Sequence, residues 1–377
     1  MGLPAELLHG GYAGLLRPLL FASHGGDPEA IHEQLIGMLA AVGDNPALRG
    51  LLGLVAASSG RPTEVAGVSF PNRVGLAAGM DKDGLAARAW ASLGFGFAEL
   101  GTVTAQAQPG NDRPRVFRLR ASHALINRMG FNNHGAAALA QTLAEAGIRR
   151  GNAAAGIPLG ISIGKTKLVA VEQAVGDYLT SLEAVAPYAD YVAINVSSPN
   201  TPNLRTLQDG GALADLTDAL VKRAAELAGT LPAAGEARVP KGPATPVPIF
   251  VKIAPDLSWQ QIDEVLTVCQ GSGIAGVIAT NTTLSRSGLA APDRSLADQA
   301  GGLSGAPLTG RALQVIEYVV GHTGLPVIGV GGIMTPPDAA RMFDAGAALI
   351  QLYTGFIYHG PGLISAINAA HPAEPRY

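Results

Sequence analysis

The chain has 377 residues, 47% of them apolar and only 15% charged, with 49 glycines and 26 prolines, which excludes disorder over most of its length and demands a large core cut by many tight turns. A net charge of −3 without a long basic run leaves no electrostatic footprint for nucleic acid. One cysteine, Cys269, forbids an internal disulfide or a thiolate cluster, and the eight histidines contain no H-x-x-x-H pair, so no metal is expected.

Residues 1–60 stand apart. The N-terminus lacks a basic stretch followed by an apolar core and a cleavage site, and no apolar run approaches the roughly 20 residues of a membrane span, so the expectation is a chain that stays inside the cell without crossing a bilayer. Met1-Gly2 opens the sequence, but Glu6 stands where a myristoylation motif wants Ser or Thr. Leu15, Leu16, Leu19, Leu20 and Phe21 form one apolar cluster. Asp27-Pro28 then opens a second helix whose stripe is Ile31, Leu35, Met38, Leu39 and Val42. A helical hairpin this small cannot bury both faces by itself; it must lean on the base or side of a larger domain or face a membrane.

From residue 73 onward, apolar runs alternate with helical patterns. The runs are Arg73–Met80, Phe97–Thr104, Leu159–Lys165, Tyr191–Ser198, Ile249–Pro255, Gly276–Thr282, Pro326–Gly332 and Leu349–Gly355. Between them lie predicted helices at Asp83–Gly94, His134–Gly147, Val171–Ala189, Ala212–Gly229, Trp259–Gly273, Thr309–Gly321 and Pro337–Gly346; Cys269 falls on the apolar face of one of them, a place for a small hydrophobe. This alternation predicts an α/β fold, a (β/α)8 TIM barrel with an N-terminal helical hairpin extension, with a doubly wound sheet as the alternative. Residues 105–133 read as an excursion over the barrel rim and residues 230–248 as a surface insertion.

Polar and unusual residues gather where the runs end, the rim at which such barrels carry chemistry. Pro326–Ile333 followed by Leu349–Gly355 reads as strand, glycine turn, helix, strand, an arrangement whose backbone N–H groups bind phosphate. No dinucleotide or P-loop motif occurs, which leaves flavin mononucleotide, pyridoxal phosphate or a phosphorylated substrate.

Seven segments in order, Ala77-Ala-Gly-Met-Asp-Lys-Asp-Gly84, Glu99-Leu-Gly-Thr-Val-Thr104, Asn127-Arg-Met-Gly-Phe-Asn132, Ala193-Ile-Asn-Val-Ser-Ser-Pro-Asn-Thr201, Ala279-Thr-Asn-Thr-Thr283, Gly301-Gly-Leu-Ser-Gly305 and Val330-Gly-Gly-Ile333, resemble the dihydroorotate dehydrogenase family over roughly residues 60–365. The resemblance implies oxidation of dihydroorotate to orotate through flavin mononucleotide, with Ser198 as the base. Serine rather than cysteine at that position resembles the quinone-dependent, membrane-associated class. It further implies that Lys82, Asn127, Arg128, Met129, Gly130, Phe131, Asn195, Asn200, Asn281 and Thr282 surround the substrate, with Thr201 and water relaying the proton and Phe131 shielding the serine. Ala78, Gly79, Met80, Asp81, Lys82, Thr102, Ser162, Asn195, Lys252, Thr280, Gly305, Gly332, Tyr353 and Thr354 are its flavin positions; Ser162 stands where many members carry asparagine.

Two of these assignments have physical reasons of their own. A lysine in an apolar barrel strand, Lys252, needs a ligand or a carboxylate partner to be buried. Amides suit a pyrimidinedione because each offers donors and an acceptor at fixed angles. On this reading the chain divides into an extension at 1–60 that makes a quinone passage and touches the membrane from its cytoplasmic face, and a catalytic barrel at 61–377, with His32, Arg118 and Tyr353 facing the quinone head. Competing readings are a soluble dehydrogenase using fumarate or nicotinamide, a non-redox lyase or isomerase acting on a phosphorylated substrate, and a catalytically silent scaffold.

Overall fold

The computed structural model describes residues 10–56, 60, 62–151, 154–201, 203–229 and 245–371. The residue Glu6 of the myristoylation argument and most of the insertion expected at 230–248 lie outside them.

A short antiparallel hairpin, β1 (Thr63–Val65) and β2 (Val68–Phe70), turns through Ala66 and Gly67, both at positive φ, and leads into the barrel. Eight parallel strands close it: β3 (Val74–Leu76), β4 (Phe97–Val103), β7 (Leu159–Ile163), β8 (Tyr191–Asn195), β9 (Ile249–Ile253), β10 (Gly276–Ala279), β12 (Val327–Val330) and β13 (Leu349–Leu352), which pairs back onto β3. Each of the eight apolar runs supplies one of them. The remaining three, β5 (Val116–Leu119), β6 (Ala124–Asn127) and β11 (Gly302–Gly305), form a separate antiparallel sheet in the order β11-β6-β5. The excursion at 105–133 is therefore a folded piece, and the Gly301–Gly305 motif is its third strand.

The helix expected at Asp83–Gly94 does not form. Turns occupy the segment until a short 3-10 helix at Trp90–Leu93, because Gly84 sits at φ +71 and the buried Asp81 carboxylate takes up the Ala86 amide and the Trp90 indole N–H. The other predicted helices are present, among them Ala136–Glu145, Ala174–Val185, Gly210–Gly229 and Trp259–Gly271, which buries Cys269 on its inner face.

Inward-facing residues stack in layers up the barrel. The lowest is aromatic: Phe70 meets Phe97 at 5.2 Å between ring centroids, and Tyr191 meets Phe250 at 5.4 Å. Each large ring on a strand faces a glycine on the next one, Gly75 opposite Phe97, Gly160 opposite Tyr191, and Gly276 opposite Phe250. A Cβ on Gly160 would lie 2.0 Å from the Tyr191 ring, so the glycine is what admits the ring. Two residues further along, where alternation returns side chains to the interior, Glu99 on β4 meets Lys252 on β9.

Among the described residues, the extension holds the two helices expected of the hairpin and a further one after them. A helix at Arg17–Ala22 continues a π-helical turn at Tyr12–Leu16, a second runs Pro28–Asp44, and a third runs Pro46–Val55. Asp27 and Asn45 cap the last two through their side-chain oxygens. The extension leans on β5 and on the Trp90–Leu93 turn, on the rim side of the barrel, while the aromatic layer and Phe70 close the base. Its outer face leaves Leu15, Leu19, Leu51 and Leu54 at 62–80% exposure. Among the described residues no helix is long and apolar enough to cross a membrane.

Replacing Gly160 by Ala is expected to cost roughly 1–3 kcal/mol, since the Tyr191 ring and its hydrogen bonds must shift. A lowered midpoint in thermal unfolding checks this, and an unchanged midpoint would show that the layer adjusts freely.

Candidate active site

At the C-terminal rim the strand ends enclose a cavity with about 1040 Å³ of space outside atoms, part of it continuous with solvent. Ala77, Ala78, Gly79 and Lys82 come from the end of β3, Thr102 from β4, and Asn195, Ser198 and Asn200 from β8. Lys252 comes from β9, Thr280, Asn281 and Thr282 from β10, Gly331 and Gly332 from β12, and Tyr353 and Thr354 from β13. The rim sheet roofs it with Asn127, Met129, Gly130, Phe131 and Gly305.

One wall is an amide and hydroxyl network. Asn195 Nδ2 donates to Thr102 Oγ1 at 3.0 Å; Asn281 Nδ2 donates to Ser197 Oγ at 2.9 Å and to Asn195 Oδ1 at 3.3 Å. Asn200 Nδ2 donates to Asn127 Oδ1 at 3.2 Å, tying the loop after β8 to the roof. The Ser198 hydroxyl, on a residue only 6% exposed, accepts from the Asn200 backbone N–H at 3.3 Å. Close by in sequence, Thr201 Oγ1 is buried without a hydrogen-bond partner among the described residues. Phe131 stands at φ +55 and Gly130 at +71, so the roof loop is held in the left-handed region at a non-glycine residue, a conformation that costs of order 1–3 kcal/mol and persists only where packing enforces it. The Phe131 ring fills the space that a side chain on Gly164 would take.

The floor is charged. Glu99, fully buried, accepts from Lys252 Nζ at 3.3 Å through Oε1, and from Gln351 Nε2 at 2.7 Å and the Tyr191 hydroxyl at 3.1 Å through Oε2. The carboxylate expected beside Lys252 is therefore Glu99, which sequence reasoning did not single out although it interrupts an apolar run. At the far end, Gly305 at φ +96 and Gly332 at φ +71 bring backbone close to its neighbours. A Cβ would fall 2.3 Å from His123 O and from Thr309 Oγ1 respectively.

Four expected site residues lie outside this wall. Met80 is buried in the core and faces a second cavity. Asp81 points at Trp90 and Ala86. Arg128 turns outward, its guanidinium bonded to Gln299 and Pro114 O and lying 4.8 Å over the Phe117 ring. Ser162, shorter than asparagine, reaches only to Thr102 Oγ1 at 2.9 Å.

The second cavity, about 1800 Å³ when the space open to solvent is included, lies between the extension and the rim and is lined chiefly by apolar side chains, among them Leu16, Leu20, Leu35, Leu39 and Val42. His32, Arg118 and Tyr353, which come from three separate segments, all line it. Burial, assisted by the charge of Lys82, lowers the His32 pKa to about 3, so the ring is neutral at physiological pH; burial pushes Tyr353 up to about 12. Arg118 stacks on Phe21 at 3.8 Å with a buried Nε that has no partner among the described residues. Asn127, Met129 and Tyr353 line both cavities.

The dihydroorotate dehydrogenase family profile matches residues 62–372, the whole barrel and its rim sheet. The chain belongs to the dihydroorotate dehydrogenase family. It is 53% identical to a dihydroorotate dehydrogenase (quinone) of Chloroflexus aurantiacus over 94% of both chains. It is also 53% identical to one of Salinispora arenicola, over 94% of this chain and 97% of the other. Among solved structures, the dihydroorotate dehydrogenase of Eimeria tenella in complex with ferulenol superposes with a TM-score of 0.79 at 32% identity, over 91% of this chain and 90% of that one. Relatives that cover 94% of the chain carry the quinone designation and place the chain in the quinone class of the family.

Asp81 supplies a test of the electrostatics beneath the site. Burial raises its pKa to about 6, against the opposing hydrogen bonds from Trp90 and Ala86, and its Oδ1 has no partner among the described residues. A raised carboxyl pKa stabilises the fold below the unfolded value near 4, and that contribution is lost as pH rises through 6. By pH 7 the loss is about 3 kcal/mol. Asp81→Asn keeps an acceptor for Trp90 and Ala86, so its unfolding free energy is expected to gain on the wild type between about pH 4 and pH 6 and to level off above that. A difference independent of pH in denaturant titrations would refute the assignment.

Proposed function

We propose that this chain oxidises dihydroorotate to orotate, with flavin mononucleotide as its resident cofactor and a membrane quinone as electron acceptor, in pyrimidine biosynthesis. The single observation that carries the reading is the pair of chambers divided by one wall, Asn127, Met129 and Tyr353: a polar one built for a pyrimidinedione and an apolar one sized for a lipophilic head and tail.

The residues present fit flavin mononucleotide. Lys252, Thr102 and Asn195 offer donors of the kind its pyrimidine edge needs, and the glycine cradle at Gly305 and Gly332, with Thr354 opening a helix, suits the phosphate. When bound, the flavin supplies the hydride acceptor and the electron path to the quinone. Ser198 removes the proton from the ring carbon beside the hydride-losing one. The Asn200 N–H on its Oγ steadies the charge that develops there, and the unpartnered Thr201 hydroxyl is the next acceptor for the proton. Phe131 and Met129 keep bulk water from the serine, while Asn127, Asn200, Asn281, Thr282 and Lys82 orient the substrate and its carboxylate.

In the neighbouring chamber a neutral His32, Arg118 and Tyr353 present donors to a quinone carbonyl. Residues 1–60 act as the quinone passage and 61–377 as the catalytic barrel. The exposed leucines of the extension rest in the cytoplasmic surface of the cell membrane, as expected of an amphipathic helical face that does not span.

Ser198→Ala is expected to retain flavin and to be reduced by dihydroorotate about 10²–10⁴-fold more slowly in stopped-flow mixing. Wild-type speed would remove Ser198 from the chemistry. The double variant Leu51→Glu, Leu54→Glu is expected to lose flotation with anionic vesicles while flavin reduction by dihydroorotate stays at the wild-type rate; undiminished flotation would argue against this face as the anchor.

A further inference from the structure

Glu29 lies in the first turn of the helix Pro28–Asp44, where an acidic residue ordinarily does no more than complement the helix dipole. Here it is only 4% exposed and meets two guanidiniums of the rim excursion, that of Arg115, 6% exposed, and that of the exposed Arg113, whose Nη2 donates to Oε1 at 3.2 Å. Arg115 Nε donates to both Glu29 oxygens at 3.0 and 3.1 Å, and Nη2 donates to Oε1 at 2.7 Å. The remaining nitrogen, Nη1, is spent on the carbonyls of Pro109 and Asn111 at 2.6 and 2.7 Å. Asn111 in turn donates its amide to Arg128 O at 2.9 Å and Asn200 O at 3.2 Å, and its backbone N–H to Met129 O at 3.0 Å. An unbroken chain of charge-assisted and neutral hydrogen bonds thus runs from a helix of the extension to both backbone segments, 127–131 and 198–200, that wall the polar cavity.

We infer that Glu29, although it belongs to the extension, is a positioning residue for dihydroorotate: through Arg115 and Asn111 it fixes the roof loop and the backbone at Asn200. The inference rests on the function proposed above. The groups facing Lys82 are Glu29 and His32 from the helix, Arg115 from the rim excursion, and Asp81 and Asp83 beside it in the chain. Burial lowers the Lys82 pKa to about 8, and of the charges that counter this Glu29 is the largest. The Glu29 carboxylate favours the protonated form of Lys82, the form that attracts an anionic substrate, and its loss shifts Lys82 toward the neutral amine.

The experiment uses the full-length flavin-loaded protein, with orotate affinity from equilibrium dialysis and steady-state rates with dihydroorotate and a quinone. Turnover by the wild type comes first, since its absence would sink the functional reading and leave the variants without meaning. Glu29→Gln is expected to raise both the orotate Kd and the dihydroorotate KM roughly tenfold, to leave kcat at saturation within about twofold of the wild type, and to move the alkaline limb of kcat/KM for dihydroorotate to lower pH. Glu29→Asp is expected to restore that limb. A helix that merely lost its seat would raise the quinone KM and leave the limb where it was. Wild-type turnover with an unchanged orotate Kd and an unmoved limb in Glu29→Gln overturns the inference. Should Glu29→Gln fail to fold, Asn111→Ala keeps the Glu29–Arg115 pair and cuts the links to Asn200 and Arg128: the expected outcome is weakened orotate binding with the alkaline limb in place, and wild-type affinity for orotate overturns the positioning role.

Discussion

A carboxylate and an ammonium inside a closed barrel constrain everything around them. Glu99 and Lys252 come from opposite parts of the strand order, and taking either out of water without the other would cost several kcal/mol. The barrel therefore closes only in a register that brings them together, with Tyr191 and Gln351 supplying the remaining hydrogen bonds. This charged layer separates two regimes. Below it the rings of Phe97, Tyr191 and Phe250 pack against glycines as an ordinary apolar core; above it amides, hydroxyls and Lys252 share an open cavity with apolar side chains. The floor of the cavity is thus a structural necessity of the fold and at the same time a fixed cation presented to whatever binds there.

The rim sheet carries a second division of labour. Its strand β6 ends at Asn127, and the loop that follows bends back through two left-handed residues, so one stretch of backbone faces the substrate cavity on one side and the extension on the other. Dihydroorotate and quinone chemistry need separate surroundings, one hydrogen-bonding and one apolar, yet electrons must pass between them. In the proposed arrangement a thin wall of three side chains meets both demands, because it would keep each ligand in its own chamber without a thick layer of protein between them.

Much of this was legible in the sequence, and the parts that were not share a reason. The eight strands announce themselves as short apolar or β-branched runs, and Lys252 within such a run signals a buried counter-charge. Which carboxylate answers it is a matter of strand register, and nothing local to Glu99 reveals that it points inward at Lys252 rather than outward at a helix. The pairing of β11 with β6 joins residues some 175 positions apart, so Gly301–Gly305 reads as a loop until the two are seen together. The segment after β3 has helical spacing, but a buried carboxylate at Asp81 captures the amides that a helix would have used. Glu29 fits a helix N-terminus so well that its burial against Arg115 has no local signature. Motif resemblance placed most of the cavity-lining residues, but it did not show that Arg128 turns outward or that Ser162 lies behind Thr102.

The shared wall also limits how the protein can change. Asn127, Met129 and Tyr353 line both cavities and, with the proposed occupants, answer to two demands at once. A substitution at one of them that evicts a compound lodged under the extension also reshapes the pyrimidine pocket on the other face, so escape from such a compound at these positions carries a metabolic penalty. Escape without that penalty has to come from residues that face the apolar chamber alone, such as Leu16, Leu35 or Val42, where only a tail is accommodated.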